Sequence, residues 1–61
     1  MTLEQAREHI GHAVVYLPGG DQDAEQGVIT GVSSVTVFVR YVGDMHAKGT
    51  NPADLVLLAE P

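Results

Sequence analysis

The sequence predicts a small, mainly β protein: five short antiparallel strands forming one barrel, with a short N-terminal helix and one helical turn before the last strand. Three observations carry that reading. Eight of the nine valines lie between Val14 and Val42, and a side chain branched at Cβ fits a pleated sheet better than a helix. Turn-forming clusters (Pro18-Gly19-Gly20, Ser33-Ser34 and Gly43-Asp44) punctuate the apolar runs. The chain has 61 residues, 44% of them apolar, and no cysteine. That length makes one domain, residues 1–61, whose stability has to come from its core, because neither a disulfide nor a cysteine-held zinc is available.

Each element has a local reason. Thr2 followed three residues later by Gln5 matches a capping box, and Glu4 places an anion in the first turn, where the helix dipole favours it. Leu3, Ala6 and Ile10 share a helical face, so a helix is predicted over about residues 2 to 9, packed on the barrel through Leu3 and Ile10 and stopped by Gly11. Residues 1–10 thus form the helical segment and 11–61 the barrel. His12 to Leu17 reads as the first strand, and Pro18 to Gln26 as an exposed polar loop carrying Asp21, Asp23 and Glu25. Gly27 to Val32 is the second strand and Val35 to Val42 the third. Ala47 to Thr50 is a short fourth. Asn51 caps a helical turn with Pro52 at its first position, and Leu55 to Leu58 closes the domain.

The third strand is the most informative. Val35, Val37, Val39 and Tyr41 fall on one face and Thr36, Phe38, Arg40 and Val42 on the other. The valine-rich face is the predicted core. Phe38 and Arg40 then stand side by side on the outside, and aromatic and arginine side chains are the usual anchors of protein interfaces. Two competing placements put Phe38 under the N-terminal helix in a second small core, or let a bulge slip the register of the strand.

Five strands separated by one long loop, two tight turns and a helical turn describe the SH3-like order. Gly11, Val14, Tyr16 and Pro18, then Glu25-x-Gly27-x-Ile29, Val37-Phe38-Val39-Arg40-Tyr41-x-Gly43-Asp44 and Pro52-x-Asp54-Leu55 resemble small phage- and prophage-encoded proteins thought of as SH3-like barrels. The Gly27-x-Ile29-x-x-Val32 spacing is similar to the KOW and Tudor-like branch of that fold. The resemblance implies a barrel and says almost nothing of activity.

Charge narrows the function. Three basic residues face eight acidic ones, for a formal charge of −5. Phosphate backbones are held by clustered lysine and arginine, so nucleic acid is not an expected partner, and an anionic membrane surface is disfavoured for the same reason. No apolar run has the length of a membrane-spanning helix, and the start MTLEQAREH lacks the basic and apolar regions of a signal peptide. A cytoplasmic location is expected.

Catalytic and ligand-binding patterns are weak. Asp21, Asp23 and Glu25 sit on one loop with nothing to desolvate them and raise a pKa. Ser33 and Ser34 have no histidine nearby in sequence, and Gly19-Gly20 lacks the Gly-Lys-Ser/Thr of a phosphate loop. His9 with His12, and Asp44 with His46, would have to converge from distant segments to hold a metal. Tyr16, Phe38 and Tyr41 are the material of an aromatic cage for a cationic or methylated ligand, but the two tyrosines are assigned to the barrel wall. No enzyme, cofactor or metal is therefore expected. The sequence points to a protein-binding module whose contact residues are Phe38, Arg40, Asp21, Asp23 and Glu25, with self-association as a dimer through strand edges as the alternative.

Overall fold

The computed structural model describes residues 1–17 and 24–58; the turn expected at Pro18-Gly19-Gly20, and Asp21 and Asp23, lie outside the described residues. Helix α1 (Leu3–Glu8) is followed by strands β1 (Ala13–Tyr16), β2 (Glu25–Val32), β3 (Val37–Tyr41) and β4 (Lys48–Thr50), a 3₁₀ turn (Pro52–Asp54) and β5 (Leu55–Leu57). The strands form one sheet in the order β4-β3-β2-β1-β5, and every neighbouring pair is antiparallel. The expected helix, five antiparallel strands and helical turn before the last strand are all present.

The local signals act as their chemistry dictates. The Thr2 hydroxyl accepts from the Gln5 amide at 3.1 Å and the Gln5 side chain accepts from the Thr2 amide at 2.9 Å, which satisfies two helix-end donors reciprocally. The Asn51 side chain accepts from the Ala53 amide at 2.9 Å, with Pro52 opening the 3₁₀ turn. Gly43 has φ +91 in the turn whose Asp44 amide donates to the Tyr41 carbonyl at 3.0 Å. A side chain there would meet the left-handed penalty that glycine escapes.

The core lies on one face of the sheet. Ala6, Val14, Ile29, Val37, Val39, Tyr41 and Leu55 are buried together, with Leu3, Val32 and Leu57 packed against them. The spacing of Ile29 and Val32 would put them on opposite faces of a regular strand. A bulge between Ile29 and Gly31 adds one residue to β2, reverses the alternation, and turns both toward the core. Thr30 occupies the extra position and its hydroxyl donates to the Phe38 carbonyl at 3.2 Å.

Three placements differ from the sequence expectation. Val35, expected inside, is 79% exposed: the Ser33 hydroxyl accepts from the Val35 and Thr36 amides, which makes residues 33–36 a turn and delays β3 to Val37. Ile10, expected to pack the helix, is 48% exposed. The α1 residue that reaches the core is Ala6, whose small side chain lets the helix approach closely. Glu25 and Gln26, expected in the loop, begin β2, because their backbones pair with Tyr16 and Val15.

Candidate functional site

Strand β3 alternates as its sequence indicates. Val37, Val39 and Tyr41 are buried, while Phe38 and Arg40 face outward. The helix packs on the other side of the sheet, where Ala6 joins the core, so Phe38 does not lie beneath it. Phe38 is 38% exposed, and its ring lies beside Gly49, where an added Cβ would stand 3.9 Å from it.

Register extends this face across the sheet. Arg40 is aligned with Val28, and Val28 with Ala13; Gln26 is aligned with Val15, and Val15 with Val56. Residues directly opposite one another share a face. Phe38, Val28, Val15 and Val56 therefore make an outward apolar surface, with Arg40 and Gln26 set into it. Val56 is half exposed, and Val42 and Leu58 add further apolar area near its margins. An open depression of about 290 Å³ runs along it, lined by Gln26, Val28, Arg40 and Val42 among others.

Glu25 belongs elsewhere. Its register partner is Tyr16, so it lies on the core side of the sheet, at the rim, and the structure does not bring it together with Phe38 and Arg40. Asp21 and Asp23 fall outside the described residues.

At that rim the two tyrosines meet edge to face, with ring centroids 6.0 Å apart and planes at 62°. The Tyr41 hydroxyl is 2.8 Å from the Thr50 hydroxyl, in a buried contact. An open cleft of about 310 Å³ lies beside them, lined by Tyr16, Glu25, Tyr41, Lys48, Gly49, Thr50, Asn51 and Asp54. Burial pushes the Tyr41 hydroxyl pKa above its ordinary value, and the charge of Glu25 adds to the rise against the opposing Thr50 contact and Lys48. Lys48 itself pairs with Asp44 at 3.2 Å. Sequence reasoning set Tyr16 and Tyr41 into the wall and missed this cleft. The signal was the parity of Tyr16 on β1 and Tyr41 on β3, which places both rings on the core side once the strand order is known.

His9 and His12 touch edge to face at 5.1 Å, and His9 Nδ1 lies 2.6 Å from the Gln5 carbonyl, so that nitrogen carries the proton. Among the described residues no three metal-ligating side chains converge, and no helix is long and apolar enough to cross a membrane.

A comparison with protein-family models gives no match. Comparisons with curated proteins and with solved structures give none either.

Proposed function

We propose that this chain is a non-enzymatic protein-binding module whose contact surface is the outward face of β3 and its neighbours, with the sheet rolled into an SH3-like barrel. One observation carries the binding reading: Phe38 and Arg40 stand together, exposed, on the sheet face opposite the core, beside the half-buried Val28 and Val15 and the exposed Val56. A solvated sheet face ordinarily carries polar side chains, and contiguous exposed apolar area with an aromatic and an arginine is the composition of an interface centre. The barrel rests on the strand order and on the 3₁₀ turn between β4 and β5. A phage or prophage accessory role in the cytoplasm belongs to the same reading and rests on the sequence likeness alone.

The acidic positions take a second part in it. Asp21, Asp23 and Glu25, in a chain of net charge −5, would draw in a basic partner over distance while the apolar face supplies the lasting contact. The test is capture from bacterial lysate by immobilised wild type, Phe38→Ala and Arg40→Gln, each first shown to be folded by circular dichroism. The wild type retains a protein that both variants lose; identical retained proteins discard the face.

Self-association is the second reading, favoured by Val56 and Leu58, exposed on and just beyond β5, the strand at one end of the sheet. Sedimentation equilibrium separates the two. A dimer abolished by Val56→Lys supports it, and a monomer at every concentration removes it.

A further inference from the structure

We infer that the depression between β2 and β3 on the outward face takes the side-chain carboxylate of an acidic residue. That residue belongs to an extended partner segment whose apolar residue, two positions away, lies against Phe38. The inference rests on the reading of this face as a contact surface and names the chemistry of the segment it holds.

Strand pairing fixes the pattern of side chains around the depression. Arg40 stands opposite Val28 in the β2–β3 register. The Val42 amide donates to the Gln26 carbonyl at 3.0 Å, which sets Val42 opposite Gln26. All four residues line the depression. Arg40 and Gln26 therefore sit on one diagonal, with Val28 and Val42 on the other, and diagonal neighbours across an antiparallel pair lie about 7–8 Å apart. The guanidinium carries five N–H donors in a planar fork, and the glutamine amide adds two more. A carboxylate set between them would accept from both, with a valine on either side.

Both donors are unengaged. No ion pair or hydrogen bond joins the side chain of Arg40 or Gln26 to another group among the described residues. Asp44 lines the same depression, but its carboxylate is held by Lys48 at 3.2 Å. The chain has eight acidic residues and three basic ones, yet Arg40 stands on an apolar face without a carboxylate, and its fork matches that group in two parallel bonds. Phe38 sets the spacing. It lies two residues from Arg40 on the same face of β3, about 6.6 Å along the strand, and Gly49 opposite it carries no side chain to cover the ring. Side chains two apart on an extended peptide repeat at that same distance, so an acid on Arg40 brings its second neighbour to Phe38. The net charge of −5 opposes an acidic ligand at long range, so this binding has to come from contact. Steering depends on the partner's overall charge, whereas Arg40 meets one side chain of it.

The experiment is an NMR titration of the full chain, read at the backbone amides and at Arg40 Nε–H. The probes are the doubly blocked peptide Gly-Glu-Gly-Leu-Gly and its counterparts with Gln or Lys in place of Glu, taken to millimolar concentration at physiological salt. Saturable shifts are expected with the Glu peptide at Gln26, Val28, Phe38, Arg40 and Val42, and weaker binding of the Gln peptide. Arg40→Gln is expected to weaken the Glu peptide about twofold to fivefold and to leave the Gln peptide unchanged. Arg40→Lys, which keeps the charge and loses the fork, weakens it by less. Phe38→Ala weakens both peptides alike. Equal binding of the Glu and Gln peptides, or tighter binding of the Lys peptide, overturns the carboxylate assignment and leaves the outward face standing. So does the absence of shifts with every peptide, where the wild type still captures a protein that Phe38→Ala loses. Absence of both shifts and capture discards the face itself.

Discussion

The two faces of the sheet are built from the same strands and differ in what fills them. On the core side β3 presents Val37, Val39 and Tyr41, met by Val14, Ile29 and Leu55 and covered by Ala6 of the helix. On the outward side the same strand presents Phe38 and Arg40, and the register sets Val28, Val15 and Val56 on the same face. The core side tolerates little change because its atoms touch on all sides. The outward side is apolar and less packed, with Phe38 and Val56 exposed and Val15 and Val28 half-buried. Under the binding reading proposed above, substitutions on the core side change stability and those on the outward side change association.

The largest expected effect comes from emptying the core side. Ile29→Ala removes the largest fully buried side chain and is expected to cost about 2–5 kcal/mol. A domain of this size holds roughly 3–5 kcal/mol in all, so circular dichroism should show a largely unfolded chain at room temperature. A cooperative melt near that of the wild type would break the comparison at its base.

Overfilling the same face comes next. A Cβ at Gly27 would stand 2.6 Å from Val39 Cγ1 and 2.9 Å from the Arg40 carbonyl oxygen, and the second neighbour is backbone with nowhere to retreat. Gly27→Ala is expected to cost about 1–3 kcal/mol, read from the urea midpoint. Gly31→Ala, where an added Cβ meets nothing within 4 Å, is the control and shifts the midpoint far less.

A smaller effect sharpens the boundary between core and cleft. Tyr41→Phe loses the hydroxyl contact with Thr50 and is expected to cost about 1 kcal/mol. It also changes the response to alkali. Burial raises the Tyr41 pKa in the folded state, so the folded chain holds that proton more firmly than the unfolded one. The resulting stability is whole below the ordinary tyrosine pKa of about 10 and declines as pH rises through the folded value. Urea midpoints measured on both sides of that pH should show an alkaline decline that Tyr41→Phe reduces; equal declines would detach Tyr41 from it.

The smallest stability effect belongs to the outward face. Arg40→Gln is expected to change unfolding free energy by no more than about 0.5 kcal/mol, and Phe38→Ala by little more, while both abolish partner capture. A large loss of stability on Phe38→Ala would place that ring in the folding core and dissolve the distinction between the faces.

Much of the architecture was legible in particular residues. Thr2 and Gln5, Asn51 and Pro52, and the valines alternating with Phe38 and Arg40 each state a local preference that the fold then obeys. Val35 was misread because period-two alternation continues through Ser33-Ser34-Val35-Thr36 without revealing that the Ser33 hydroxyl accepts from two amides and bends the chain. Ile10 was misread because helical spacing does not say where the helix ends. Its last turn closes at His9, whose amide donates to the Ala6 carbonyl, and Ile10 falls beyond it.

By itself the sequence determined what depends on neighbours along the chain: the capped helix, the strand runs, the turns, the inward valines of β3 and the acidic balance. The tertiary structure decided what depends on partners far away in sequence. It alone brought Tyr16 to Tyr41 and Glu25 to Asp54, turned Ile29 and Val32 to the same side through a bulge, and aligned Val56 and Val15 in one row and Val28 and Arg40 in the next. Caps and alternation follow from the geometry of a single segment, whereas register and strand order follow from which pairing buries the most apolar surface, a property of the whole chain.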